Sequence, residues 1–262
     1  ELAREHGFGR IIAANLSLRG YVTYWQNDLD SARRDYVEAI EQARRTGDQR
    51  AEMLALIIGG SFWAGIGDLA EAESWLSQAQ SITRRMGSRI FEGVCAYLLG
   101  RFAFQRGDLE QARALAQNGV EILTRSESGI TFGGPIAIGV LALAAEDAER
   151  SRELLNEAES LLDAGSVGHN YLNFYEDAME TCLRTGAWDE VERFAEALEQ
   201  YTREEPLARC EFIVARGRVL ARCGRGARDS GIFEEVDRLC AEASRIGLVA
   251  ALPALERVRA AR

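Results

Sequence analysis

GSFWAGIGDLAEAESWLSQA, residues 60–79, joins the end of one helical stretch to the start of another through the turn Gly67-Asp68-Leu69. The same turn stands 40 residues earlier as Asn27-Asp28-Leu29 and 40 later as Gly107-Asp108-Leu109. Weaker copies follow at Glu146-Asp147-Ala148 and Gly186-Ala187-Trp188. Gly20, Gly60, Gly100 and Gly139 keep the same step, and so do Gly7, Gly47 and Gly87. Three markers in phase make an internal repeat, the sign of a stacked architecture in which each unit buries its apolar face against its neighbours.

After each turn, small and large apolar residues fall four and then three apart. They read Ala32-Tyr36-Ala39, Ala72-Leu76-Ala79, Ala112-Ala116-Gly119 and Ser151-Leu155-Ala158, then more loosely Val191-Ala195-Leu198 and Val236-Cys240-Ala243. Positions i, i+4 and i+7 share one helix face, so each triplet is a packing stripe. The small residue admits a neighbouring helix, and the turn aspartate is placed to accept from the free N–H groups of the first helical turn. No stretch alternates with period two, so no strands are expected.

The fold predicted is an all-α, right-handed superhelical solenoid, a single array over residues 1–262. First helices run roughly over 9–26, 48–66, 88–106, 133–145, 168–185 and 206–223. Second helices cover roughly 29–45, 69–85, 109–125, 148–163, 188–203 and 230–245, with a last helix near 248–261. Pro135 and Pro206 are read at helix starts, where proline is tolerated, and Pro253 as a kink or restart. Gly129–Gly134 reads as a wide joint, and 224–231 as a long loop. Residues 1–7 align with the end of a second helix, so the chain opens in mid-repeat and is expected to belong to something longer.

In Gly20/Ala32, Gly60/Ala72 and Gly100/Ala112 the glycine precedes the small residue by 12, and the A-x3-aromatic stripe follows. This pattern resembles the tetratricopeptide repeat, with a period of 40 instead of about 34. The segment 168–226 resembles the C-terminal helical-repeat region of large bacterial signalling ATPases, which carry a cyclase catalytic domain or a LuxR-type DNA-binding domain beside an AAA-type ATPase. The segments that carry this second likeness are Asn170-Tyr171-Leu172-Asn173-Phe174-Tyr175-Glu176-Asp177-Ala178, Thr185-Gly186-Ala187-Trp188 and Glu204-Glu205-Pro206-Leu207. The resemblance implies a repeat module of a cytoplasmic regulator; none of the ATPase or cyclase signatures is present.

Composition narrows the chemistry. All 31 basic residues are arginine, and no lysine occurs. That excludes Walker, kinase and Schiff-base lysines. His6 and His169 are the two histidines, too few for a multi-histidine metal site. The net charge of −10 argues against a polyanion binder. No apolar run reaches the ~20 residues of a membrane span. Cys95, Cys182, Cys210, Cys223 and Cys240 are read as reduced, buried thiols. No cofactor is expected.

First helices of such repeats line the concave face. Transferring the usual groove positions gives Tyr21, Tyr24 and Trp25 in the first unit and Tyr97, Arg101 and Phe104 in the third. The fifth gives Asn173, Glu176, Glu180 and Arg184, and the sixth Glu211, Arg218 and Arg222. Aromatic anchors with paired charges suit a peptide or a small polar ligand, although the same aromatics would also serve as packing between repeats. Without lysine, an anionic ligand falls to arginine, with Arg101, Arg184 and Arg218 the candidates. A catalytic His169 beside Glu176 or Asp177 lacks a nucleophile or oxyanion donor nearby. The run Arg209 to Arg228 reads as a solvated face pairing with Glu204, Glu205 and Glu211. The function expected is a non-catalytic scaffold binding a protein, a peptide or a neighbouring domain; the alternative is a small-molecule sensor with its ligand in the groove.

Overall fold

A computed structural model describes residues 9–262, which form thirteen α-helices and one 3-10 turn with no strand among them. The helices pair as α1 (Gly9–Trp25) with α2 (Leu29–Thr46), α3 (Gln49–Gly65) with α4 (Leu69–Met86), and α5 (Arg89–Gln105) with α6 (Leu109–Thr124). The second half pairs α7 (Gly129–Leu143) with α8 (Ala148–Asp163), α9 (His169–Thr185) with α10 (Trp188–Thr202), and α11 (Ala208–Gly224) with α12 (Ser230–Ile246). A 3-10 turn (Val249–Ala251) leads into α13 (Leu252–Ala260), where Pro253 sits in the first turn and restarts the helix. Residues 1–7, including Gly7 and His6, lie outside the described residues.

The repeat markers have the expected local causes. Asp28, Asp48, Asp68 and Asp108 each accept from the backbone N–H three residues on, at 3.0–3.1 Å, which satisfies one orphan donor of the helix start. Gly47 and Gly87 close α2 and α4 in the left-handed region at φ 67° and 63°, a conformation that glycine adopts without steric cost. Gly100 serves close packing instead: a Cβ there would lie 2.9 Å from the Ala112 carbonyl oxygen across the α5–α6 joint. The stripes Ala32-Tyr36-Ala39, Ala72-Leu76-Ala79 and Ala112-Ala116 are fully buried.

The fourth unit corrects the sequence reading. Gly129–Gly134 is not a joint but the beginning of α7, and Pro135 lies inside that helix, not at its start. Every residue from Gly133 to Leu143 is buried, because α7 is enclosed by α5, α6, α8 and α9. A proline at 135 removes the N–H that would bond the Thr131 carbonyl. The side-chain amide of Asn170, itself fully buried, donates to Thr131 O at 3.2 Å and to Phe132 O at 3.1 Å. That contact satisfies the carbonyl freed by the ring, so the helix runs on through the proline. Pro206 falls in the connection before Ala208, also outside the helix start assigned to it.

The array bends until its ends meet. Besides contacting α9, α11 touches α1, and the Val249–Ala251 turn touches α3. Val249 sits over Gly67, where an added Cβ would lie 3.4 Å from the valine Cβ. The concave side is therefore a lumen bounded by first helices and closed by the sixth unit and the C-terminal turn.

Candidate functional site: a lumen lined by the first helices

The lumen encloses about 910 Å³, within the range of cavities that hold small molecules. Residues of α1, α3, α5, α7, α9 and α11 line it, together with Leu248 to Ala251. Its wall is apolar where α3, α5 and α7 begin, at Leu54, Ile57, Phe91, Val94 and Phe132. It is ionic where the later turns of α5 and α9 face α11.

Asp177 and Glu180 of α9 each meet an arginine there. Arg101 of α5 bonds Asp177, and Arg216 of α11 donates to Glu180 at 2.8 Å. Arg209 Nη2 lies 3.9 Å from Glu176 Oε1, and the Arg209 guanidinium rests on the rings of Tyr24 and Trp25, 4.1 and 5.8 Å from their centroids. Cations over such ring faces are electrostatically favoured. Asn173 donates to the Tyr21 hydroxyl at 3.4 Å, a link between the first and fifth units. Burial pushes the Asp177 carboxyl up to about 7, against the pull of Arg101. Burial likewise raises the hydroxyls of Tyr21, to about 12, and of Tyr24 and Tyr97. These phenols are neutral donors and acceptors.

Of the residues assigned to the concave face, the structure brings together Tyr21, Tyr24, Tyr97, Arg101, Phe104, Asn173, Glu176 and Glu180 around the lumen. Five lie elsewhere. Trp25 is buried beside Tyr21 and Tyr24, where it supports Arg209. Arg184 points between units, 3.3 Å from Ala145 O and 3.4 Å from Ser151 Oγ. Arg218 pairs with Glu192 and Glu199 of α10, and Glu211 and Arg222 are exposed.

The physical reason for the sixth-unit correction is register. The face of α11 that meets the lumen carries Arg209, Ile213 and Arg216, while Arg218 and Arg222 lie round the helix. Arg209 and Arg216 are seven apart, the spacing of one helix face, and Phe212 and Ile213 beside them mark that face as inward. The solvated-face reading of this arginine run fits the exposed Arg222, Arg225 and Arg228 and is corrected for Arg209 and Arg216. Arg209 is 5% exposed, and the salt-bridge partners are Glu176, Glu180, Glu192, Glu199 and Asp189.

His169 packs edge-on against Phe132, 5.2 Å between ring centroids, and its pKa is lowered by burial. The five cysteines are unbonded and buried, and burial pushes the thiols of Cys95, Cys182 and Cys210 up to about 12, which keeps them unreactive. Among the described residues no cluster of three or more histidine, cysteine or acidic side chains suits a metal ion, and no helix is long and apolar enough to cross a membrane.

No curated protein matches the chain. A family model does: the MalT-like TPR region, over residues 4–250. With the forty-residue helix pairs, the aspartate-capped turns and the closed run of inner helices, the match shows that the chain belongs to the MalT-like TPR region family.

Proposed function

We propose that the chain is the non-catalytic repeat module of a cytoplasmic bacterial regulator and that it senses a small molecule held in its lumen. The observation that carries this reading is the convergence of the inner helices on one space. Inner helices of all six units line one 910 Å³ space, and contact of α11 with α1 narrows the concave side, which stays partly open. A ligand in that space touches units far apart in sequence, so its binding energy acts on the curvature of the whole array, the quantity an attached ATPase or output domain would read. A scaffold role in binding a protein or a neighbouring domain is compatible with this, through the outer faces of the second helices.

Thermal melting against a metabolite library tests the reading. A ligand at about 100 times its Kd adds roughly 2.7 kcal/mol of stability, a rise of several degrees. The variant Ser61→Trp, which directs an indole from α3 into the lumen, is expected to abolish the rise. Absence of any stabilising compound, or a rise that survives in S61W, counts against the lumen; steady turnover of a bound compound counts against the non-catalytic role.

A further inference from the structure

Among the fully buried atoms of the lumen wall, the unmet hydrogen-bonding capacity is one-sided. Arg209 lines the space and is 5% exposed, yet its Nε and Nη1 have no hydrogen-bond partner. Its nearest carboxylate, Glu176, is 3.9 Å from Nη2, too far for a hydrogen bond. Arg101 bonds Asp177 through Nη2 but leaves its own Nε without a partner. Among the described residues, no carboxylate oxygen of Glu176, Asp177 or Glu180 is buried without a partner. The fully buried atoms left over are therefore donors, while the Glu176 carboxylate, 30% exposed, is open to water. A buried guanidinium with idle N–H groups is costly unless an acceptor reaches it. Packing of Arg209 against Tyr24 and Trp25 holds it in place when none does.

At the other end, Leu54, Ile57, Phe91, Val94 and Phe132 offer hydrocarbon and ring faces with no donor or acceptor of their own. A ligand that matches both ends has an apolar body and an anionic head. We propose that the lumen takes an apolar carboxylic acid, its carboxylate accepting from Arg209 and Arg101 and its body lying along the starts of α3, α5 and α7. This rests on the lumen reading above and narrows it to one ligand class. Guanidinium suits the head group, since its N–H fork pairs with carboxylate more strongly than with a neutral oxygen.

Calorimetry on the 262-residue chain with octanoate, octan-1-ol and octylammonium, at about pH 8 where acid and amine are both ionised, separates body from head. Octanoate is expected to bind at least roughly tenfold more tightly than octan-1-ol, and octylammonium more weakly than either. Arg209→Gln should reduce octanoate to the affinity of octan-1-ol and leave octan-1-ol unchanged. If R209Q fails to fold, as read from its helical circular dichroism, the three head groups on the unaltered chain decide alone. Octanoate no tighter than octan-1-ol, a preference for octylammonium, or no binding of any of the three overturns the proposal. A library compound whose stabilisation is lost in S61W, with no preference for octanoate, discards the acid and keeps the lumen.

Discussion

In residues 9–124 the inner helices α1, α3 and α5 lie against α2, α4 and α6 through glycine and alanine, and the spacing repeats at 40 with little variation. In residues 129–246 the inner helices α7, α9 and α11 keep the topology but not the rule. Gly139 stands in phase with Gly20, Gly60 and Gly100, yet a Cβ there would meet Asp177 and Phe174 of the next inner helix at 3.4–3.5 Å, not its own partner helix. The first half is largely a wall. The second half supplies most of the polar groups of the lumen, namely Asn173, Glu176, Asp177, Glu180, Arg209 and Arg216. Regular repeats are cheap to specify because each joint solves the same packing problem, and departures from the rule concentrate where the chain puts polar groups inside.

The largest expected contrast is between two Arg–Asp bridges, one within the first half and one joining the two halves. Asp177 is enclosed with Arg101, its carboxyl raised to about 7 by burial and by neighbouring Glu176 and Glu180 against the arginine. An unfolded aspartate titrates near about 3.9. A raised folded pKa gives stability that is complete below about pH 4 and is lost as pH rises through about 7. The difference is worth up to roughly 4 kcal/mol. Asp177→Asn removes this dependence, so urea unfolding should show D177N gaining roughly 2–4 kcal/mol on the unaltered chain between about pH 4.5 and pH 8. Asp35 is bridged to Arg19, whose side chain is 58% exposed. Asp35 itself is buried and accepts two hydrogen bonds from Arg19, so Asp35→Asn should cost about 1–3 kcal/mol. Equal pH profiles for D177N and the unaltered chain would erase the distinction between a bridge whose arginine is hydrated and one whose arginine is enclosed.

Overpacking comes next. Ala112 is fully buried beneath Gly100, so Ala112→Leu forces a leucine into a joint too tight for a second Cβ. The expected cost is about 1–3 kcal/mol, read as a lower midpoint in thermal melting. Melting unchanged by A112L would mean that the forty-residue register does not mark the joints of the first half.

The repeat, its caps and its helix pairs were legible because each rests on local chemistry: aspartate at a helix start, glycine past a helix end, small residues four and seven apart. Closure of the array was not legible. It depends on small rotations between units, which accumulate over six pairs and leave no mark in any one of them. The register of α11 was missed for a related reason. Arg209, Arg216, Arg218 and Arg222 supply arginines on more than one face, and only the meeting with α1 and α9 selects the pair at 209 and 216. Pro135 misled because a proline in a glycine-rich stretch reads as a boundary. The residue that overrides it, Asn170, lies 35 positions further on.

That override gives the smallest effect and the sharpest test of the irregular half. Asn170→Ala removes both donations to α7 and leaves the Thr131 carbonyl without a partner inside the protein, for an expected loss of about 1–3 kcal/mol. Pro135→Ala restores a backbone N–H to the same carbonyl. In a double-mutant cycle the alanine at 135 should then offset part of the loss at 170, with a coupling of roughly 0.5–1.5 kcal/mol. Strict additivity would mean that Asn170 acts through packing alone and that α7 tolerates an idle carbonyl. Coupling of the expected sign would show that the fourth unit replaces a backbone bond with a side chain from the fifth. The two units would then be tied through backbone carbonyls, where the first three are joined by fit and by side-chain pairs such as Arg44 with Gln78 and Glu52.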